Sequence, residues 1–559
     1  MSSTSSSTPS RLRKLFPFLN WPRPTAGLLR GEALAGLAVG LMVIPQGVAY
    51  AVLAGMPPVT GIYASILPAL VAVLFSASPR LSVGPTALTC LLVSAGLTGL
   101  AQPGSAEWVQ LAIWLALLTG LLQLVLGFMR FGWLLNLVNA PVLTAFTQAA
   151  SVLIIGSQLP DLLGLHDWRS LGSDALHAWH LPSLAFGLGT LALLLAARRW
   201  RPAFPSVLLI VLAAAGLSHG LDFEAAGGQV VGMLPAGLPA LQLSALPDAA
   251  VLGHLLLPTL VITLVSFLET ASSAKVDNER RGTRWNQDQD LIGQGLGKLA
   301  AGLSGAFPTS SSFSRSALNL YAGARTGWAT VFSAVVVLLA LWLFIPVLRH
   351  VPQAVLAAIV VAAVLGLIKP REFTRLWRIA RVEAIIAGTT FLITLLVSPQ
   401  LYWGVLAGVL MSLSHFLYQR LHPRIIEVGL HPDGSLRDRH LWKLPPLAPD
   451  TYALRMDAAL DFAAAAEFER AIVEYLAEHP DTRHICLFAQ PISHIDATGV
   501  DAFLKLGKQL REHGVLLHIS GMKLPVEKTL LRAGWKLGDA GHRLYRTEAE
   551  TLAALRTLA

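Results

Sequence analysis

Residues 302–321, GLSGAFPTSSSFSRSALNLY, decide how this chain is read. They lie in an apolar region, yet they carry a proline, a run of hydroxyl residues and one arginine where lipid tails tolerate none. A counterpart lies upstream at 80–90, RLSVGPTALTC. Each reads as an extended approach broken by Phe-Pro or Gly-Pro, followed by a short helix. From Pro85 to Gly99 is roughly 22 Å at 1.5 Å per residue, against roughly 30 Å for a hydrocarbon core. Two interrupted spans in matching places of two halves point to the binding site of a secondary transporter.

The surrounding composition supports a membrane setting. Of the 559 residues, 54% are hydrophobic and only 13% charged, too apolar for a soluble protein of this size. Nearly uncharged runs recur across 31–418 and read as transmembrane helices, whereas the tail has dense charge and ordinary soluble composition. The division expected is a cytoplasmic N-terminal segment (1–30), a transport domain (31–418), a linker (419–450) and a soluble domain (451–559). A net charge of +9 would suit nucleic acid, but the basic residues sit in short loops between apolar runs, where they set topology. Cys90 and Cys486 are too few for a disulfide framework. The Ser/Thr-rich start, Met1 to Ser10, reads as disordered. Arg11, Arg13 and Lys14 lead into Pro-rich sequence rather than into a cleavable signal.

Fourteen hydrophobic segments are expected, near 31–54, 57–76, 85–100, 108–128, 133–159, 181–198, 203–219, 251–272, 288–306, 309–322, 327–348, 352–368, 382–398 and 400–418. An even count puts both termini on one side. With the N-terminus cytoplasmic, Arg80, Arg130, the run Arg198-Arg199-Trp200-Arg201, Lys275 to Arg284, Arg325 and Lys369 to Arg381 fall inside. Asp161, Asp167, Asp174, Asp222, Glu224 and Asp248 fall outside, and Arg349 is the main exception.

This topology makes the two short helices, beginning near Pro85 and Thr309, start at mid-membrane with their N-termini facing each other. Each end carries unpaired N–H groups and roughly half a positive charge, so the pair makes an anion site. The extended stretches before them, Leu81 to Gly84 and Gly305 to Phe307, need backbone partners, and a short antiparallel ribbon between them would serve. In the first segment Pro45 frees a carbonyl and Gln46 adds polar groups at depth, with Tyr50 one turn on. The eighth segment holds Glu269, read as the only acidic residue deep in the late spans and flanked by Ser266 and Ser273. Such a group is a functional candidate by default, as a proton-coupling site or a sodium ligand. Glu32 reads instead as an interfacial acid at a helix N-terminus. Arg315, one turn into the tenth helix, has two open roles: holding an oxyanion in bidentate fashion, or pairing with Glu269.

At these residues the chain resembles a known family. GLMVIPQGVAYAVLAGMPPVTGIYASILPAL followed by LSVGPTAL, then FLETASSAK and FPTSSSFSRSALN, is similar to the signature of the sulfate permease (SulP) family of anion transporters. The tail resembles a STAS domain, so the likeness covers nearly the whole chain. The resemblance implies a polytopic α-helical membrane protein with a seven-plus-seven inverted repeat like that of uracil permeases. Core and gate domains, an elevator movement, a homodimer and a place in the bacterial inner membrane are implied with it. The anion is implied to lie between the third and tenth helices. By motif the site is Gln46, Tyr50, Gly84, Pro85, Thr86, Ser312, Ser314 and Arg315, with Glu269 as the ion-coupling residue. Sodium-coupled bicarbonate members resemble this pattern with an aspartate at the position of Glu269, which favours proton coupling here.

In the tail, helices and strands alternate: TYALRMDAAL, HICLFAQ and VLLHISGM read as strands, and AAAEFERAIVEYLAEH, HIDATGVDAFLKLGKQLREHG and VEKTLLRAG as helices or a turn leading into one. Asp496 to Gly499 resembles the STAS loop that carries a phosphorylatable hydroxyl, with Thr498 its only hydroxyl and helix capping the simpler role. No nucleotide loop, metal-ligand spacing or nucleophile–His arrangement is present, so neither an enzyme nor a cofactor is expected. The reading is a secondary transporter of small anions (sulfate, bicarbonate or a dicarboxylate such as fumarate) working by proton-coupled symport. Sodium symport, anion exchange and a passive anion channel are the alternatives. A nucleobase symporter fits Arg315 poorly, and a scaffold that transports nothing leaves 302–321 unexplained.

Overall fold

The computed structural model describes residues 13, 16–165, 180–200, 206–232, 237, 245–343, 345–537 and 541–557. Met1 to Ser10, Arg11, Lys14, Asp167, Asp174, Arg201, Phe344 and the start of the seventh segment (203–205) lie outside the described residues. The chain forms two compact units, Met1–Ser412 and Leu413–Ala559.

The first unit is helical apart from one two-residue ribbon. Its helices are α1 (Ala26–Leu53), α2 (Pro58–Tyr63), α3 (Leu67–Phe75), α4 (Ala87–Leu97), α5 (Ala106–Phe128), α6 (Ala140–Leu163), α7 (Leu181–Trp200) and α8 (Ser206–Gly220). They continue as α9 (Ala249–Arg281), α10 (Gln287–Leu303), α11 (Phe313–Tyr321), α12 (Trp328–Leu343), α13 (Gln353–Leu365), α14 (Arg371–Ile379), α15 (Arg381–Leu396) and α16 (Tyr402–Leu421). Among the described residues six helical stretches are long and apolar enough to cross a membrane, with Pro58–Phe75 (α2 and α3) counted as one, and four more helices are apolar but shorter. Their outward residues, such as Leu121, Leu193, Leu339 and Trp342, are large, apolar and exposed, as lipid contact demands.

Helix α5 packs on α10 at backbone distance. A Cβ at Gly120 would lie 2.8 Å from the Gly295 carbonyl oxygen, and one at Gly295 would lie 2.8 Å from that of Gly120. Without side chains there, van der Waals contact and dipoles hold the helices, which suits a lipid solvent with little hydrophobic drive. Helix α9 differs from expectation: it runs to Arg281, well past the anticipated end near residue 272, and stops at Gly282 with φ +62°. The extension is held because Asp277 is fully buried and pairs with Arg80 and with Arg281, the latter at 3.1 Å.

The second unit is an α/β domain. Its sheet has the order β4-β3-β5-β6-β7-β8. The strands are β3 (Ile425–Leu430), β4 (Leu436–Asp438), β5 (Thr451–Met456), β6 (His484–Phe488), β7 (Leu516–Ser520) and β8 (His542–Tyr545). Strands β5 to β8 are parallel. Parallel neighbours require crossovers, supplied by α17 (Ala465–Glu478), α18 (Ala497–Glu512) and α19 (Leu524–Arg532). Tyr452, Leu454 and Met456 enter one apolar layer while Ala453, Cys486 and Phe488 enter another, so the sheet is covered on both faces. The stretch 419–450, expected as a linker, is a correction: β3 pairs antiparallel with both β5 and β4. The turn at Asp433 and Gly434 (φ +84°) closes that hairpin. Asp496 caps α18, its Oδ1 accepting from Gly499 N at 2.8 Å, and these bonds hold its carboxyl below the usual range.

His518 on β7 is fully buried between Tyr545 Oη (3.1 Å) and His484 Nδ1 (3.2 Å). Burial, then the His484 ring, pushes its pKa down to about 4. An unfolded histidine binds its proton near its ordinary value of about 6.5. Between these values the unfolded chain binds more protons, so stability falls as pH drops from about 6.5 towards 4. Hydrogen exchange of the β6 and β7 amides should show about 2 kcal/mol less protection near pH 4.5 than near pH 7. His518→Gln should flatten that slope, and an equal slope in both proteins would place its source elsewhere.

Candidate functional site

The two interrupted spans meet. Strand β1 (Val83–Gly84) pairs antiparallel with β2 (Ser310–Ser311), Val83 opposite Ser311 and Gly84 opposite Ser310. Ser312 N extends the ladder to the Ser82 carbonyl at 3.0 Å. The second strand of the ribbon is therefore 310–311, not the anticipated Gly305 to Phe307. Gly305 has φ +68° and belongs to the turn that closes α10, so the chain becomes extended only afterwards. Thr86 caps α4 and Ser312 caps α11, accepting from Thr89 N (3.4 Å) and Arg315 N (3.5 Å). Because the strands run in opposite directions, the two helices leave opposite ends of the ribbon and bring both N-termini to it. At eleven and nine residues, they are about 16 and 13 Å long, near half a hydrocarbon core.

Arg315 is 1% exposed. Its Nε donates to Ser82 Oγ at 3.3 Å, and its Nη2 is buried without a hydrogen-bond partner. It crosses the ribbon where Gly84 has no side chain: a Cβ there would stand 3.2 Å from Nη2. Among the described residues no ion pair joins Arg315 to Glu269. Glu269 is held instead by α4, its Oε2 accepting from the hydroxyls of Thr86 (3.0 Å) and Thr89 (3.2 Å). The carboxylate of α9 and the N-terminal turn of α4 therefore form one hydrogen-bonded unit.

Gln46 and Tyr50 on α1 are both buried, and Gln46 Oε1 has no hydrogen-bond partner. Pro85 is buried beside Gly84. Ser314 is exposed, with Oγ 3.3 Å from Ser312 Oγ. The hydroxyl run of the tenth span is largely structural. Ser310 donates to the Ser266 carbonyl on α9 at 3.1 Å, and Ser311 accepts from Gln294 on α10 at 3.0 Å. The structure thus joins Gly84, Thr86, Glu269, Ser312 and Arg315 around the ribbon. For Gln46 it gives burial and an open acceptor, and no bond to the ribbon. Among the described residues no cluster suits a metal ion.

Asp290 and Lys298, unread in the sequence, and Glu32 are further buried charges. Glu269 is not the only acid packed among the late helices. Asp290 at the start of α10 is fully buried, bonded to Ser76 and Ser78 hydroxyls and to Trp285 Nε1. Glu32, read as an acid at its own helix N-terminus, is buried and accepts from the backbone N–H groups of Arg325, Thr326 and Ala329, capping α12 instead. Lys298 on α10 is fully buried with Nζ 2.9 Å from Gln123 Oε1. A lone lysine within the apolar run GLGKLAAGL was its visible signal.

Residues 29–390 match the sulfate permease family profile and residues 446–550 match the STAS domain. The chain is 32% identical to a probable sulfate transporter of Mycobacterium tuberculosis, over 91% of this chain and 93% of the relative. It is also 32% identical to probable sulfate transporter 4.2 of Arabidopsis thaliana, over 93% and 80% of the two chains. The sodium-independent sulfate anion transporter of Bos taurus is 28% identical over 94% and 89%. Murine SLC26A9, an anion transporter solved in the inward-facing state, superposes with TM-score 0.87 at 19% identity, covering all of this chain and 96% of its own. The transmembrane domain of the cyanobacterial bicarbonate transporter BicA superposes with TM-score 0.60 at 21% identity, over 69% and 98%. At these identities the two superpositions establish a shared fold. The chain belongs to the sulfate permease family of multi-pass membrane transporters, with the SLC26 transporter fold and a STAS domain, and it is not an enzyme.

Proposed function

We propose that this protein is a secondary active transporter of small oxyanions, sulfate first among them, taken up with a proton. One observation carries the reading: Arg315 Nη2, buried and unpartnered, lies against a ribbon from which two helix N-termini diverge. Such a place offers a guanidinium fork, free backbone N–H groups and low dielectric to a tetrahedral or planar oxyanion. Gln46, Tyr50, Ser312 and Ser314 supply hydroxyl or amide groups at its margin. The curated relatives named as sulfate transporters favour sulfate over bicarbonate and dicarboxylates.

Glu269 is the coupling group on this reading. It is hydrogen-bonded to the cap of α4, so its protonation and anion binding at that helix end act on each other. The working unit is a homodimer of chains with fourteen spans in a seven-plus-seven inverted repeat, both termini cytoplasmic, in a bacterial inner membrane. Carriage is by elevator movement of a core holding the ribbon, and the STAS domain is cytoplasmic. Sodium symport and exchange are the rival couplings, and the bovine relative named as sodium-independent weighs against sodium alone.

The test is labelled sulfate, bicarbonate and fumarate uptake into proteoliposomes, with and without an inward proton gradient. One pH unit drives up to about tenfold accumulation of a monoanion carried one-to-one with a proton, less for a dianion unless more protons accompany it. Glu269→Gln is expected to abolish gradient-driven accumulation while sparing anion exchange. Accumulation driven by sodium, or by a trans anion alone, would remove the proton from the mechanism.

A further inference from the structure

Lys298 has no part in the anion site just described, yet nothing in a lipid-embedded core explains a fully buried ammonium cheaply. It carries three donors, and the acceptor given for it among the described residues is Gln123 Oε1 at 2.9 Å. That amide is itself fixed: Gln123 Nε2 donates to the Thr263 carbonyl (3.2 Å) and to Ser266 Oγ (3.0 Å). Ser266 lies on α9 one turn before Glu269, and its carbonyl takes the Ser310 hydroxyl of the ribbon. Three elements, α5, α9 and α10, thus tie Lys298 through Gln123 and Ser266 to the turn of α9 that leads into Glu269, and among the described residues no ion pair joins the two. Other charged or titratable groups reaching the site are Arg315 from α11, Tyr50 from α1 and Cys90 from α4.

We infer that Lys298 is a tethered cation: its ammonium supplies, from within the chain, the positive charge that a bound sodium ion would otherwise bring to Glu269. A sodium ion needs several oxygen ligands and one net negative charge to settle among them. Here Gln123 Oε1 is taken by Nζ, and the Glu269 charge is already compensated. An added cation would bring excess positive charge into low dielectric. With Glu269 ionised the pair is neutral, and a proton taken from water onto the carboxylate leaves it singly positive, which together with the Arg315 guanidinium matches the two charges of an arriving sulfate. The inference deepens the proposed function and rests on it, and makes transport sodium-independent through a residue outside the anion site.

The test is anion uptake into proteoliposomes by wild type, Lys298→Gln and the double variant Lys298→Gln/Glu269→Gln, in sodium medium and with sodium replaced by N-methylglucamine. Wild-type uptake is expected to be indifferent to the replacement. Uptake by Lys298→Gln near neutral pH should fall at least about tenfold without sodium, because a half-buried carboxylate has lost its counter-charge. Sodium or acid should then restore it, since either cation takes the vacant role. Should Lys298→Gln fail to fold, recovery of a folded protein in the double variant supports charge compensation, and failure of both variants overturns it. The inference is also overturned by a wild type that needs sodium, by a Lys298→Gln that matches wild type in every medium, and by a loss that neither sodium nor acid repairs. A wild type that carries no anion removes the proposed function, whereas wild-type transport with an indifferent Lys298→Gln removes this inference alone.

Discussion

Arg315→Gln is expected to lower sulfate uptake at least about 100-fold, with the protein still folded. A charge-assisted hydrogen bond is worth about 1.5–3 kcal/mol, and a guanidinium fork offers two in parallel. Losing about 3 kcal/mol of anion binding is a factor of roughly 150. The low dielectric of a buried site pushes that figure upward, because Arg315 is 1% exposed. Folding should survive, since glutamine retains an amide that reaches towards Ser82 and removes a buried charge rather than adding one. Arg315→Lys restores the charge without the fork, so it should recover part of the affinity. The measurement is labelled sulfate uptake beside a melting curve of the purified protein. Wild-type uptake by Arg315→Gln would mean that the anion is held away from the ribbon.

Gly61→Ala should be the most damaging single methyl in the transport unit. A Cβ at Gly61 would sit 1.8 Å from the Gly47 carbonyl oxygen, and one at Gly47 would sit 2.8 Å from the Gly61 oxygen. Helices α1 and α2 touch there backbone to backbone, so no flexible side chain can swing aside. They must part by more than an ångström, which puts the cost at about 3 kcal/mol, the upper end for an overpacked contact. Gly47 follows Gln46 and lies three residues before Tyr50, so the displacement reaches the candidate site directly. We expect a fall of several degrees in melting temperature together with lost uptake. Gly27→Ala, with nothing within 4 Å of the added methyl, is the matching control. Equal stability of the two variants would show that α1 and α2 can slide.

Both predictions rest on long-range contacts, and these mark what local sequence could and could not show. The membrane class, the two interrupted spans and the alternating tail are local. Runs of apolar residues, a proline after a glycine or phenylalanine, and a hydroxyl before a helix act over a few positions, so their meaning survives without the fold. The hairpin of β3 and β4 was missed, because a short polar-flanked strand looks like a linker until β5 gives it a partner.

Tertiary structure decided the remainder. The ribbon pairs Gly84 with Ser310, and Arg315 crosses it in the space that glycine leaves, contacts between residues more than 200 positions apart along the chain. Glu32 caps a helix 296 positions from its own number, and Lys298 meets Gln123 across 175. Sequence by itself determined that this chain spans a membrane, carries a soluble α/β tail and breaks two spans to expose helix ends. Which buried charges face one another was decided by the fold alone, because an ion's cost in low dielectric is set by its neighbours in space, and local pattern does not specify those neighbours.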